Sequence, residues 1–317
     1  MLLWIFLSAA VILINKYVLT FSGFPYPLAL TCTHMLFCSA LAFVLVKTGT
    51  VEAVVITADT YLSCILPIGL LFAAVLWMGN AAYLYLSVSF IQMLKASMPM
   101  VVFLVGVLFA TEKFSVNAAL NMLVVGTGIA IASYGEIDFV VMGVVLQAGS
   151  IACEAVRLTL VQILLQKRGI RMNPVSSLYH IAPCCFVFLF LPFTYIELPR
   201  MMVDPGLVIN IPLLLLSACC AFSLNIAVFL LIGKTSALTM NVAGVVKDWL
   251  LILLSVVLYA SVVTSTQLFG YGLAFLGVCY YNYKKVLAMN AASTGAEKAP
   301  EKAEKLLSND GNSKGDA

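Results

Sequence analysis

The chain has 317 residues, of which 63% are hydrophobic and only 10% charged, and its formal net charge is +3 at pH 7. An ordinary soluble domain is roughly a quarter charged, so the mean hydropathy of +1.08 excludes a water-soluble globular domain and predicts an integral membrane protein. The small net charge gives no indication of a nucleic-acid partner. In lipid every backbone polar group needs an internal partner, and apolar runs of about 20 residues without strand alternation favour helices over a barrel.

Uninterrupted apolar runs predict an all-α integral membrane fold with ten transmembrane helices. The predicted spans are 2–20, 27–46, 61–82, 88–110, 118–134, 140–164, 176–195, 207–232, 237–259 and 267–286. The first span has no basic leader and no cleavage site, which is typical of a retained helix. The segment 288–317 lacks aromatic residues and mixes Lys with Glu, and it is predicted to be a disordered tail.

Basic residues concentrate in the connections on one side of the membrane, including the cluster Lys167, Arg168 and Arg171. Because positive charge favours the cytosolic side, both termini and the tail are predicted to be cytosolic. Acidic residues are predicted to face the opposite side. These are Glu136, Asp138, Glu197 and Asp204.

The two halves of the chain repeat four features in the same order: a histidine after a proline-marked helix start, an asparagine, an intramembrane lysine and a Gly-x-Gly-x-Ala sequence. The matched elements are His34 and His180, Asn80 and Asn225, Lys95 and Lys247, and 126–130 and 270–274. Five spans per half is an odd number, so the copies must insert with opposite orientation. This predicts a 5+5 inverted-topology repeat, residues 1–137 and 138–287, which is a transporter architecture with the substrate site between the repeats.

Five ionisable residues fall in mid-span, where a charge costs about 2.5–3.5 kcal/mol on insertion scales and needs a partner or a wet cavity. They are Lys95, Glu154, Arg157, Lys247 and Asp248. Two lysines from opposed halves are suited to binding a phosphate as compact cations. The alternatives are snorkelling for Lys95 and a structural ion pair for Lys247. Asp248 points about 100° away from Lys247 on a helix and is not expected to be its direct partner.

Glu154 and Arg157 are spaced i, i+3, so a private salt bridge explains both, and direct substrate contact by Arg157 is the alternative. Asp248 has three open roles: pairing with Lys95, pairing with Arg157, or accepting a hydrogen bond from a sugar hydroxyl.

Neutral polar and aromatic residues supply further candidates. Asn80 and Asn225 suit contacts to a base or ribose, although asparagine also bridges membrane helices. Tyr179 is a candidate for stacking on a nucleobase, although such aromatics mostly form interface belts. His34 and His180 suit either proton coupling or hydrogen-bonded packing.

The sequence gives no indication of a metal, a cofactor or catalysis. All nine cysteines fall in apolar runs, and the adjacent pairs lack zinc-ligand spacing. An enzyme would be expected to carry acids, bases or metal ligands clustered at one membrane surface. We therefore expect a carrier rather than an enzyme, and repeated charged rings typical of a channel are missing as well.

Several stretches resemble the triose-phosphate translocator branch of the drug/metabolite transporter superfamily. They are NKYVL (15–19), GNAAYLYLSVSFIQMLKASMP (79–99), NPVSSLYHIAPC (173–184) and SALTMNVAGVVKDW (236–249). The resemblance extends to about residue 287. The Lys247-Asp248 pair is similar to the plant KD subgroup, whose characterised relatives are Golgi nucleotide-sugar transporters, including carriers of UDP-arabinofuranose.

This resemblance implies an antiporter in the Golgi membrane that exchanges a nucleotide sugar, expected to be a UDP-sugar, for a nucleoside monophosphate by alternating access. The family's phosphate-contacting lysines correspond to Lys95 and Lys247. Plastid phosphate translocators of the family have arginine after the second lysine, and Asp248 stands there here, which disfavours strict phosphate exchange. The alternative is sugar phosphate or phosphoenolpyruvate exchanged against phosphate. The sequence leaves the sugar, the base and the oligomeric state open, a homodimer included.

Overall fold

A computed structural model describes residues 1–112, 114–137, 139–168, 174–232, 237–284 and 286–287. The described residues form helices and no strands. The helices are α1 (Leu2–Thr20), α2 (Pro27–Lys47), α3 (Ala58–Ala82), α4 (Val88–Leu108), α5 (Val116–Tyr134), α6 (Val141–Arg168), α7 (Pro174–Pro192, continued by a π-helical turn Phe193–Glu197 and by Leu198–Val203), α8 (Ile211–Ile232), α9 (Ala237–Tyr259) and α10 (265–284).

The all-helical fold class is confirmed for these residues. Within them, seven helices are long and apolar enough to cross a membrane, and Ile211–Ala227 is a shorter apolar helix. Many large apolar side chains lie on the exterior, such as Leu2 at 83% and Leu108 at 82% exposure, as expected for a surface that faces lipid. The predicted tail, 288–317, lies outside the described residues.

Helix α4 is interrupted near its middle, next to Pro99. Proline at position 99 has no N–H to donate to the carbonyl of Lys95. The helix breaks at Ala96 and Ser97, whose backbone N–H groups donate to Met93 and Leu94 at 3.1 and 3.0 Å. The break places Lys95 at the end of a short helical segment rather than inside a continuous helix.

Helices from both halves of the sequence pack together around the centre of the bundle. Helix α3 packs against α6 and α7, α2 packs against α7 and α8, and α1 packs against α8 and α9. The first segment of α4, which carries Lys95, packs against α9, which carries Lys247. The predicted lysines therefore lie on neighbouring helices.

Helices α5 and α10 cross at two glycines, one from each half of the chain. A Cβ on Gly128 would come within 2.5 Å of the backbone N of Ala274, and a Cβ on Gly270 would overlap the backbone N of Ala132 in the same way. The contacts are reciprocal because each glycine faces the residue four positions after the other. Small residues at this spacing allow close backbone approach of membrane helices.

One end of the bundle is tied together by Glu197, the last residue of the π-helical turn in α7. Its carboxylate oxygens accept hydrogen bonds from the backbone N–H groups of Leu28 and Ala29, at 2.9 and 2.8 Å. These N–H groups belong to the first turn of α2. Backbone N–H groups in the first turn of a helix have no carbonyl partner within that helix and carry partial positive charge. Glu197, which is predicted to lie on the side opposite the cytosol, is buried in the structure because it caps another helix.

A second contact at the same end lies outside the spanning helices. The Tyr26 hydroxyl donates to Asp204 Oδ2 at 2.6 Å, and the backbone N–H of Val208 donates to the carbonyl of Gly23 at 3.0 Å. The hydrogen bond to Asp204, followed by burial, raises the pKa of Tyr26 to about 12. The same bond lowers the pKa of Asp204 below its usual 3.8. The loop after α1 and the loop after α7 are thus held together.

We predict that Gly128→Ala lowers the free energy of unfolding by about 1–3 kcal/mol, the range for overpacking a close contact. Gly272→Ala is the matched control, since a methyl group on Gly272 would have no heavy atom within 4 Å. It should be neutral or stabilising by about 0.5–1 kcal/mol because alanine favours helix over glycine. Thermal unfolding in detergent measures both. Equal melting temperatures for the two variants would contradict the close crossing.

We predict that the stabilisation from the Tyr26–Asp204 contact is constant over the neutral pH range. Because the pKa of Asp204 is lowered, the stabilisation that its carboxylate contributes is present above pH 3.8 and is lost as the pH falls through the lowered pKa. The pKa of Tyr26, raised from 10.0 to about 12, means that the tyrosine's share is lost as the pH rises through that interval. The melting temperature of wild type minus that of Tyr26→Phe should therefore be flat from about pH 6 to 9 and shrink above about pH 10. A difference that changes between pH 6 and 9 would contradict this assignment.

Candidate functional site

A cavity of about 410 Å³ lies in the middle of the bundle and is bounded by helices from both halves. Its volume is within the range of about 300–1,000 Å³ that is usual for small-molecule sites. The polar and charged residues in its wall are Asn15, His34, Asn80, Tyr83, Lys95, Gln147, Ser150, Glu154 and Asn225. Three of the predicted substrate-binding residues, Lys95, Asn80 and Asn225, are therefore brought together.

Lys95 supplies positive charge to the cavity. It lies close enough to Glu154 and Asp248 to interact with both electrostatically. Among the described residues, however, no carboxylate oxygen lies within ion-pair distance of its ammonium group, because both carboxylates have nearer partners. Lys95 is thus available to an anionic ligand.

Glu154 is neutralised by Arg157 on the same helix. The guanidinium Nε and Nη2 donate to the two carboxylate oxygens at 2.7 and 2.6 Å, a bidentate geometry. The guanidinium also lies 4.8 Å from the centre of the Phe72 ring, a cation–π contact. The structure therefore places Arg157 in the predicted i, i+3 salt bridge, and Glu154 rather than Arg157 lines the cavity in the described part of the chain.

Lys247 pairs with its sequence neighbour Asp248. The two side chains are 3.2 Å apart, and the Lys247 ammonium lies 5.7 Å from the centre of the Trp4 ring. The expectation that Asp248 is not a direct partner is wrong, because the flexible four-carbon stem of lysine reaches back across the 100° between neighbouring positions. Of the described lining residues, Tyr83 is near enough to Lys247 to interact with it electrostatically. This pair therefore lies beside the cavity rather than in the described part of its wall.

A buried hydrogen-bond network forms one wall of the cavity and joins four helices. Asn15 Nδ2 donates to Asn80 Oδ1 at 3.1 Å, and Asn80 Nδ2 donates to Thr31 Oγ1 at 3.2 Å. The Ser217 hydroxyl donates to Asn15 Oδ1 at 2.7 Å. Each of these polar groups is taken from water into the membrane interior, so each needs such a partner.

The same network determines how His34 is protonated. Since the Ser217 hydroxyl proton points to Asn15, the hydroxyl oxygen can only accept from His34, whose Nε2 lies 3.0 Å away. His34 Nε2 therefore carries a proton. Asn225, by contrast, donates from its side-chain nitrogen to the carbonyl of Ala221 in its own helix at 2.8 Å. Its side-chain oxygen can accept a hydrogen bond from another group.

Lys16 is an intramembrane cation that was not identified from the sequence, where its position borders a predicted membrane surface. Lys16 is buried, and its ammonium donates to the carbonyls of Tyr83 and Leu86 at 2.7 and 3.1 Å. These carbonyls follow the C-terminal end of α3, where a cation is favoured. The polar pair in NKYVL, Asn15 and Lys16, was the signal that could have identified both residues.

Tyr179 lies away from the central cavity. It contacts the rings of Phe43 and His180, with centroid distances of 6.5 and 5.1 Å, and lines a separate cavity of about 270 Å³ together with Tyr61. His180 Nε2 is 3.0 Å from the carbonyl of Val54, which anchors the segment before α3. The structure thus does not bring Tyr179 or His180 to Lys95.

Gln147 and Ser150 also line the cavity, and neither was identified from the sequence. They lie seven and four positions before Glu154 on α6, so all three share one helix face. This spacing of polar residues in an apolar helix was the available signal.

The fold and cavity are those of a multi-pass α-helical membrane transporter. The chain belongs to the Triose-phosphate Transporter family, whose family model matches residues 1–282. A solved crystal structure superposes with a TM-score of 0.51 at 13% identity, covering 87% of this chain and 96% of that one. That similarity concerns the fold alone.

Relatives within the family come from Arabidopsis thaliana. The probable sugar phosphate/phosphate translocator At5g11230 is 52% identical over 311 residues, covering 96% of this chain and 89% of the relative. A second probable sugar phosphate/phosphate translocator, At4g32390, is 53% identical over 292 residues, covering 91% and 83%. The similarity therefore spans nearly the whole of both chains.

We predict that Ser217→Ala lowers the free energy of unfolding by about 1–3 kcal/mol, because it leaves His34 Nε2 and Asn15 Oδ1 without their buried partner. Thr127→Val is the matched control: the Thr127 hydroxyl is exposed and donates to Leu123 one turn earlier in its own helix. Its effect should be within about 0.5 kcal/mol. Thermal unfolding in detergent distinguishes the two, and equal melting temperatures would show that the network does not stabilise the bundle.

Proposed function

We propose that the protein is an antiporter that exchanges a sugar phosphate for inorganic phosphate across a membrane. The observation that carries this proposal is a cation in the wall of a central cavity. Two other cations nearby are each neutralised by a carboxylate in an ion pair. Lys95 faces the cavity, whereas Arg157 and Lys247 are each engaged by a carboxylate. The names of the Arabidopsis thaliana relatives, as probable sugar phosphate/phosphate translocators, support the same substrate class.

Charge balance around the cavity fits an exchange of similar anions. Three of the nearby cations, Lys95, Arg157 and Lys247, face two anions, Glu154 and Asp248, which leaves one net positive charge from these five residues. Lys16, held by the carbonyls of Tyr83 and Leu86, adds to this excess. A phosphate group that enters the cavity loses hydration free energy, and its attraction to this positive charge offsets part of that loss. After it releases one anion, an empty carrier keeps that charge unneutralised in mid-membrane. Reorientation of the carrier with a second anion bound is therefore favoured over reorientation of the empty carrier. Obligatory exchange follows from this imbalance.

The size and polarity of the cavity support a small phosphorylated sugar. At about 410 Å³ the cavity is near the lower end of the usual range for ligand sites. Its wall supplies amide and hydroxyl groups from Asn80, Asn225 and Ser150, which suit sugar hydroxyls. Tyr179, the aromatic residue that the sequence suggested for stacking on a base, lies in another cavity, whereas Phe72 and Tyr83 line the central one.

Alternating access between two inverted five-helix repeats, 1–137 and 138–287, is the mechanism that we propose. The reciprocal crossing of Gly128 and Gly270 supports a two-fold relation between the halves, since each half contributes the same kind of contact. The bonds from Glu197 to Leu28 and Ala29, and from Tyr26 to Asp204, are contacts between the halves at one end of the bundle. Opening that end requires these bonds to break.

A nucleotide-sugar antiporter of the Golgi membrane is the second candidate function, and one observation favours it. Asp248 holds Lys247 at 3.2 Å, which reduces the positive charge available to a phosphate monoester. The counter-substrate distinguishes the two functions: the first requires inorganic phosphate inside the vesicle and the second a nucleoside monophosphate. The cytosolic position of both termini and a homodimer stay predictions under either function.

We predict that Lys95→Gln reduces phosphate exchange by about one to two orders of magnitude, since a hydrogen bond to a charged group contributes about 1.5–3 kcal/mol. Uptake of labelled phosphate into liposomes preloaded with phosphate measures the effect on the purified protein. Lys47→Gln is the matched control, because Lys47 is exposed at the end of α2 and lies over Phe43. Its exchange rate should equal that of wild type.

Each outcome of this comparison is informative. Undiminished exchange by Lys95→Gln, with the protein still folded, would remove Lys95 from the substrate site. Wild-type exchange that requires a nucleoside monophosphate inside the vesicle, and fails with phosphate, would establish the second candidate function in place of the first.

A further inference from the structure

We propose that Gln147 is a specificity-determining residue, which binds a hydroxyl group of the sugar part of the substrate while Lys95 binds its phosphate. This inference rests on the proposed sugar phosphate exchange and adds to it a second binding group. Gln147 is not among the residues identified from the sequence.

Gln147 is a buried amide without a partner. The residue is 1% exposed, and among the described residues neither its side-chain oxygen nor its side-chain nitrogen has a hydrogen-bond partner. Buried polar side chains in folded proteins are hydrogen-bonded in the great majority of cases, because an unpaired amide in an apolar interior is destabilising. Since Gln147 lies in the wall of the central cavity, a ligand there can supply the missing bonds.

The chemistry of the amide fits a hydroxyl group. A carboxamide both donates and accepts, and a sugar hydroxyl does the same, so one hydroxyl can satisfy either atom of the Gln147 amide. Ser150, one turn further along α6, donates its proton to the carbonyl of Val75 at 2.9 Å and keeps its oxygen lone pairs for an incoming donor. Both residues line the cavity, and together they form a polar strip without charge.

The position of Gln147 separates it from the phosphate site. Glu154, which lies near Lys95, is seven residues further along α6, and this corresponds to about 10 Å along the helix axis at 1.5 Å per residue. A phosphate ion bound to Lys95 is too small to span such a distance, whereas a sugar phosphate extends its carbon chain from the phosphate along the cavity. Gln147 should therefore affect the sugar phosphate and leave inorganic phosphate unaffected.

The test compares Gln147→Met with wild type in two exchange reactions in liposomes preloaded with phosphate. Methionine keeps a similar length and removes both polar atoms. One reaction takes up labelled phosphate, and the other measures competition by methyl phosphate and by triose, pentose and hexose phosphates. We expect Gln147→Met to retain phosphate exchange and methyl phosphate competition, and to weaken competition by the preferred sugar phosphate about tenfold.

Gln92→Met is the matched control. Gln92 is also 1% exposed, lies on α4 one turn before Lys95, and is not among the described residues that line the cavity. Its ratio of sugar phosphate to phosphate affinity should be that of wild type. Thermal unfolding gives a second readout: Gln147→Met without ligand should melt no lower than wild type, and its melting temperature should rise less with the sugar phosphate but equally with phosphate.

The possible failures are distinguishable. If wild type exchanges phosphate but no sugar phosphate competes, the proposed function is wrong and the role of Gln147 is overturned with it. If sugar phosphates compete with wild type and equally well with Gln147→Met, the proposed function stands and the role of Gln147 is overturned. A parallel loss of phosphate and sugar phosphate exchange, or a lower melting temperature without ligand, would show that Gln147 is structural.

Discussion

Polar groups in a membrane bundle find no hydrogen-bond partner in the surrounding lipid, so the arrangement of their partners within the protein determines what the protein can do. Most of the polar residues in the described interior satisfy one another. Asn15 bonds to Asn80 and Ser217, and Lys16 caps the end of α3. Arg157 and Glu154 form a bidentate pair. Two groups at the cavity are not satisfied in this way among the described residues: the ammonium group of Lys95 and the side-chain amide of Gln147. A ligand in the cavity can pair with both.

The same constraint connects the site to the motion of a carrier. Polar groups at the contacts between the two halves of the chain are expensive to leave unpaired in lipid, so these contacts hold the segments at one end of the bundle together. The carboxylate of Glu197 is such a contact, because it bonds to two backbone N–H groups of α2. At the Gly128–Gly270 crossing helices α5 and α10 touch through backbone and small side chains, and further along the same pair Asn121 Nδ2 donates to the carbonyl of Gly277 at 2.8 Å. Under the proposed alternating access, opening this end of the bundle breaks the bonds that Glu197 accepts from α2.

The sequence predicted more of the cavity than of its charge pairing. Lys95, Asn80 and Asn225 were identified because each is polar within an apolar span, and all three line the cavity. The partner of Lys247 was predicted wrongly, since helix geometry fixes where a Cβ points but not where a four-carbon side chain ends. The contact of Glu197 with the start of α2 could not be predicted, because the sequence contains no information about which helix terminus comes next to this carboxylate. Tyr179 was selected by residue type alone, and its neighbours prove to be Phe43 and His180.

The sequence by itself determined that this protein lies in lipid, and it determined the helical architecture, the family and the rare polar residues within the spans. These features could be predicted because hydrophobicity and helix period are local properties of a chain. Only the tertiary structure decided which of those residues meet. Asn15 and Ser217 are separated by 202 positions, and they share a hydrogen bond because α1 and α8 pack together. Which polar groups are paired and which face the cavity depends on contacts between distant segments, and such contacts have no periodicity along the sequence.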